Sequence, residues 1–160
     1  MTEDARFEDA GDKPLFLGAM DTDDLGVLSA LVQDAVFPIT EMRWQPKQRR
    51  LGFLVNRVRW EDVDAATRRG RPVERVQSLL VIDTVLNVSS QGVDRSDQDM
   101  IFSVLNVSFE PSDAPSGHVV LTLAGDGAIR AEVEALEVSL RDVTRPYKAP
   151  SGKVPQHPLD

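Results

Sequence analysis

The sequence predicts an α+β fold: one N-terminal amphipathic helix on a mainly antiparallel array of about seven strands, as a β-barrel or a two-sheet sandwich. Three observations predict it. Apolar residues recur at a period of two over much of the stretch from Pro38 to Ala135, the spacing of half-buried strands. One earlier stretch, Leu25 to Val36, carries them at helical spacing instead. Turn-forming clusters such as Ser112-Asp113-Ala114-Pro115-Ser116-Gly117 and Gly125-Asp126-Gly127 stand between the alternating runs.

Taken in order, residues 1–13 are polar and acidic, and a disordered tail is expected there. Pro14 to Ala19 is short, apolar and strand-like. Asp21-Thr22-Asp23-Asp24 offers N-cap oxygens and puts negative charge at the positive end of a helix dipole. Leu25, Leu28, Val32 and Ala35 then form the helical stripe, widened by Leu31 and Val36. Pro38 is expected to close it, because the residue before a proline is pushed out of the α region. Met42 and Trp44 next alternate with Glu41 and Arg43, and Leu51, Phe53 and Val55 alternate beyond the turn Pro46-Lys47-Gln48-Arg49. This predicts a hairpin of roughly 39–45 and 50–60. At Asn56-Arg57 the apolar phase slips by one to Val58 and Trp60, as a β-bulge would make it do.

Residues 61–75 are highly charged and read as a surface loop with a short helical start over 61–67. A strand is expected over about 77–89, a loop over 91–99, and a strand over 100–110 ended by Pro111. Val119, Leu121 and Leu123 alternate into the Gly125-Asp126-Gly127 turn, and Ile129, Ala131, Val133 and Ala135 alternate out of it. Leu136, Val138 and Leu140 fit a strand or a C-terminal helix over 135–143. Residues 144–160 hold four prolines and read as a loose tail. Phe53, Val58, Trp60 and Glu61 share the spacing of Phe102, Val107, Phe109 and Glu110. An internal duplication would produce this, and so would the ordinary similarity of one strand to another.

The 160-residue length suits a single domain, placed at 14–143, which needs no disulfide or metal to hold it. There is no cysteine, which excludes thiolate nucleophiles and sulfur-based zinc sites and fits a reducing compartment. The N-terminus lacks the basic and apolar regions of a secretory signal, and no apolar run approaches the ~18 residues that span a bilayer. A cytoplasmic protein without membrane contact is the expectation.

Few residues carry recognisable chemistry. His118 and His157 are the two histidines, and neither has the spacing of a metal-binding pair. Gly125 and Gly127 lack the third glycine and the strand–turn–helix setting of a phosphate loop. Ser89, Ser90 and Ser96 have no base at hand. The loop Asp94-Arg95-Ser96-Asp97-Gln98-Asp99 gathers three carboxylates but lacks the glycine and terminal glutamate of a calcium loop. No cofactor is predicted.

The strongest candidate is a basic block. Residues 43–75 hold ten basic and four acidic side chains, a local balance of +6 within a chain of net charge −8. Arginine outnumbers lysine fourteen to four, which favours planar, two-point recognition of carboxylate or phosphate. Lys47, Arg49 and Arg50 sit at the hairpin tip, and Arg57 and Arg59 share a face of its second strand; these positive charges are expected to project outward, toward an anionic partner or the chain's own carboxylates. Glu61 follows them, and Asp94 and Arg95 lie in the acidic loop. The only aromatics of the block, Trp44, Phe53 and Trp60, look like core, so the stacking platform that RNA binding needs is missing.

The strings Gln91-Gly92-Val93-Asp94-Arg95-Ser96-Asp97, Phe109-Glu110-Pro111 and Leu121 to Glu134, together with Leu25 to Val36, Trp44 to Lys47 and Asn56-Arg57, resemble an alphaproteobacterial domain family of unknown function, numbered 2948. The resemblance spans roughly residues 15–147 and implies no activity and no site residue. The functional expectation therefore comes from the residues themselves. It is a non-catalytic interaction module whose Lys47, Arg49, Arg50, Arg57, Arg59, Glu61, Asp94 and Arg95 meet an acidic protein partner or a second copy of the chain. The alternative is a small-molecule or divalent-metal-dependent enzyme with a dispersed site near the 94–99 loop.

Overall fold

A computed structural model of the chain describes residues 13–148. The expected tail at 1–12 and residues 149–160 lie outside them. The described residues form β1 (Phe16–Ala19), α1 (Thr22–Leu31), β2 (Val36–Pro38), β3 (Met42–Gln45), β4 (Arg50–Val58), α2 (Trp60–Arg68), β5 (Glu74–Ile82), β6 (Val85–Gln91), β7 (Ile101–Pro111), β8 (Gly117–Leu123), β9 (Gly127–Val133), β10 (Val138–Asp142) and β11 (Tyr147–Lys148). Neighbouring strands pair antiparallel in the order β1-β10-β5-β4-β2-β7-β8-β9-β6, with β3 on β4 and β11 on β5.

The mainly antiparallel sheet agrees with the sequence reading. Closure into a barrel does not: the path is open, because its end strands β1 and β6 do not pair with each other. The described residues also form eleven strands rather than about seven, and two α-helices rather than one. The run expected as one strand over 77–89 is two, broken at Asp83-Thr84, where Thr84 takes a positive φ of 57°. Residues 136–143, which fitted strand or helix, hold the strand β10. Tyr147–Lys148, within the segment expected to be loose, pair with Arg75 and Glu74 of β5.

Helix α1 starts as its sequence dictates, with the Asp21 carboxylate accepting the Asp24 N–H at 2.8 Å. It ends at Leu31 rather than at Pro38, because Asp34 turns the chain at φ 64° and Val36–Pro38 becomes a strand. The four stripe residues Leu25, Leu28, Val32 and Ala35 are still all buried. Helix α2 occupies what was expected to be mostly loop. Its acidic first turn, Glu61 and Asp62, and basic last turn, Arg68, match the helix dipole. Trp60 Nε1–H donates to the Gln33 carbonyl at 2.9 Å, tying α2 to the chain beyond α1. Trp60 and Glu61 thus open a helix, whereas their spacing partners Phe109 and Glu110 continue β7.

One apolar core lies under the whole sheet. It joins α1 to the inward residues of both ends of the strand path, from Phe53 and Leu80 to Leu121 and Ile129. Phe37 packs edge-on to Phe53 at 5.2 Å between ring centroids and tilted to Phe102 at 5.4 Å. Three stretches carry the chain from one half of the sheet to the other. β7 pairs with β2 at Ile101–Ser103 and with β8 from Val104 onward. The β5–β6 and β9–β10 connections turn together, Asp83 N–H bonding the Glu137 carbonyl at 2.9 Å and Glu134 N–H the Thr84 carbonyl at 3.0 Å.

Candidate functional site

Strand β4 alternates as expected through Leu51, Phe53 and Val55, but the expected bulge at Asn56-Arg57 is absent: β4 pairs with β5 without a register shift from Leu51 to Val58. Arg57 takes the next inward position of the same phase and is 0% exposed. Its guanidinium forks onto Glu61 at 2.9 and 2.8 Å, meets Asp142 Oδ1 at 2.9 Å and donates to Ser78 Oγ at 3.0 Å. Ser78 Oγ–H donates in turn to Asp142 Oδ1 at 2.7 Å, and Leu15 N–H donates to Asp142 Oδ2 at 2.9 Å. Burial pulls the Arg57 pKa down, but the Glu61 hydrogen bonds and the charges of Glu61 and Asp142 outweigh it and hold it above its ordinary value. Arg57 therefore stays charged and joins β4, β5, β10 and α2, while Asp142 ties in the segment that leads into β1.

The other predicted site residues separate into three groups. Arg59 is buried like Arg57, bonded to Glu74 and 3.5 Å from Asp62. The expectation that the positive charges project outward thus fails for Arg57 and Arg59, whose partners are the chain's own carboxylates. At the hairpin tip, Lys47 is exposed, Arg49 pairs with Glu134, and Arg50 Nε lies 2.9 Å from Asp83. The Arg49 carbonyl also accepts the Val85 N–H at 2.8 Å, so the tip is fastened to the corner where β5 passes into β6. The 94–99 loop is exposed and bonded to itself. Asp94 accepts the Ser96 hydroxyl at 2.6 Å and the Ser96 N–H at 3.0 Å, which lowers its pKa, and Gln98 Nε2 donates to the Arg95 carbonyl. Among the described residues no three His, Asp or Glu side chains converge to hold a metal ion.

A concavity of ≈ 490 Å³ lies on the outer face of the sheet. Its axis is a row of residues in register across five strands. Arg43 of β3 pairs with Gly52 of β4, Gly52 with Val81 of β5, Val81 with Ser139 of β10, and Ser139 with Gly18 of β1. Gly52 opens the trough and Gly18 ends the row beyond its lining; a Cβ at either would meet nothing within 4 Å. One bank carries Leu54, Leu79, Arg141 and Phe16, and the other Arg50 with Asp83. Glu41 completes the charged lining, giving three guanidinium groups and two carboxylates. Among the described residues, Arg43 and Arg141 are exposed and have no ion-pair partner. A second concavity of ≈ 540 Å³ is lined by the terminal segments Lys13-Pro14 and Thr144-Arg145-Pro146 with Glu74 and Asp142. The Asp142 oxygens there are already taken by Arg57, Ser78 and Leu15.

Of the predicted site residues, the cleft gathers Arg50 alone. Arg43, Arg141 and Gly52, which line it, were missed. Arg43 stood in the basic block, and a glycine between Leu51 and Phe53 in a clean alternation is a recognised sign of an opening or close approach on one face.

Fold and cleft define an α+β domain built on an open antiparallel sheet, with a solvent-open basic trough on the sheet's outer face. Over residues 15–157 the chain matches the family described as "Protein of unknown function (DUF2948)", and it belongs to that family. No curated protein and no solved structure matches it. No described helix is long and apolar enough to cross a membrane.

Proposed function

We propose that this domain is a non-catalytic interaction module that holds an acidic segment of a partner protein in the trough across β3, β4, β5, β10 and β1. The observation that carries the reading is the pair Arg43 and Arg141: two exposed guanidinium groups without an ion-pair partner among the described residues, flanking a floor open at Gly52. Guanidinium forks match carboxylates in two-point geometry. The chain's overall charge of −8 opposes the approach of acidic partners in general, so local attraction in the trough helps to select where such a partner lands. The enzyme alternative has its candidate carboxylates in the 94–99 loop, where Asp94 and Asp97 accept hydrogen bonds from their own loop.

The test is fluorescence anisotropy with a labelled, extended Glu/Ser peptide. Wild type should bind it, more weakly as salt is raised. Arg43→Glu with Arg141→Glu should weaken binding at least tenfold, while Lys47→Glu with Arg95→Glu, the same charge change at two exposed positions outside the trough, leaves it within about twofold. Equal losses in both variants would mean diffuse attraction and would end the reading.

A further inference from the structure

At its β1 end the basic trough also has apolar side chains, beside Arg141, that charge attraction does not use. Phe16 and Met20, two residues before and two after Gly18, are 70% and 72% exposed. They stand at the β1 end, four strands away from Arg43. Between the ends the floor and bank carry Val81, Leu79 and Leu54, followed on β10 by Ser139 and Arg141. Strands are spaced about 4.8 Å apart, so Arg43 and Gly18 are separated by about 19 Å, the length of about six extended residues. Arg43 of β3 and Arg50 of β4 both line the recess at its far end from β1.

Resting on the reading above, we infer that the occupant is an extended, two-ended peptide segment. It places an acidic residue at Arg43 and Arg50, and an aromatic or large aliphatic side chain, about four to six residues away, between Phe16 and Met20. A peptide fits this surface better than a membrane does. A bilayer presents a flat anionic plane, whereas here the cations and the apolar floor line a recess of ≈ 490 Å³. An aromatic side chain laid over Gly18 gains contact with Phe16 and Met20 without displacing anything, since the space above Gly18 is empty.

Three labelled peptides test this against the full chain: the Glu/Ser peptide, the same peptide with a Phe five residues from its acidic end, and one with the Phe next to that end. The five-residue spacing should bind at least tenfold tighter than the other two, and Phe16→Ser with Met20→Ser should erase that advantage, so that on this variant all three peptides bind alike. Both side chains are exposed, so the variant is expected to fold, as circular dichroism would check. Equal affinity for all three peptides overturns the two-ended occupant and leaves the acidic-segment reading standing. Failure of every peptide to bind overturns both. Binding to phosphatidylserine vesicles that Phe16→Ser with Met20→Ser abolishes, without peptide binding, would assign the surface to a membrane instead.

Discussion

Arg57 occupies an inward position in line with Leu51, Phe53 and Val55, and its charge is answered by carboxylates on α2 and β10. Removing Arg57 leaves Asp142 as an uncompensated buried charge, whereas removing Asp142 leaves Arg57 still paired with Glu61. Arg57→Ala should therefore lower stability by about 3–5 kcal/mol in urea unfolding, and Asp142→Ala by less. Arg57→Met with Asp142→Leu should lose less than the two single changes together, since both charges then leave the core at once. Arg57→Lys should recover little, because one ammonium cannot fork onto Glu61 while meeting Asp142. Asp94 makes a prediction of a different kind. The Ser96 hydroxyl and N–H lower its pKa, so whatever stability this turn contributes is present above the ordinary Asp value and is lost as pH falls through the lowered one. An NMR titration should find the Asp94 midpoint below those of ordinary exposed aspartates, and Ser96→Ala should move it upward.

At the scale of the element, three glycines separate packing from binding. A Cβ on Gly117, at the start of β8, would lie 2.5 Å from Phe109 Cζ and 2.6 Å from the Glu110 carbonyl oxygen. Gly117→Ala should therefore cost about 1–3 kcal/mol, as overpacking does. Gly52→Ala and Gly18→Ala meet open space and should stay within about 0.5 kcal/mol of wild type in the same measurement. The contrast also shows what the sequence could disclose. Period-two alternation exposed the inward and outward phases of β3, β4, β8 and β9 because one face of each is apolar. Helix α1 was announced by its Asp21 cap, but its end was not: the turn at Asp34 is a conformation that aspartate permits and that no apolar pattern marks. Arg57 was misread as an outward residue because its answering Asp142 lies 85 positions away. The trough was hidden for the same reason, since nothing local says that Gly18 of β1 comes to lie beside Ser139 of β10.

For the molecule as a whole, the decisive feature is that the strands are shared between the two halves of the sheet. β7 pairs into both, and the β5–β6 and β9–β10 arms turn the same corner bonded to each other and to Arg49. Native-state hydrogen exchange should accordingly give the slowest amides of β4 and β5 the same opening free energy as those of β8 and β9, as in one cooperative unit. Two separable values would show instead that the halves open independently. The interlacing has a further consequence. A protease cut in the exposed turn at Ser112–Ser116 would yield two fragments, each holding strands of both halves and neither a self-sufficient sheet. The severed pieces should co-purify, and when expressed separately they should be shapeless until mixed, which makes that turn the natural place to split the protein into a complementing pair.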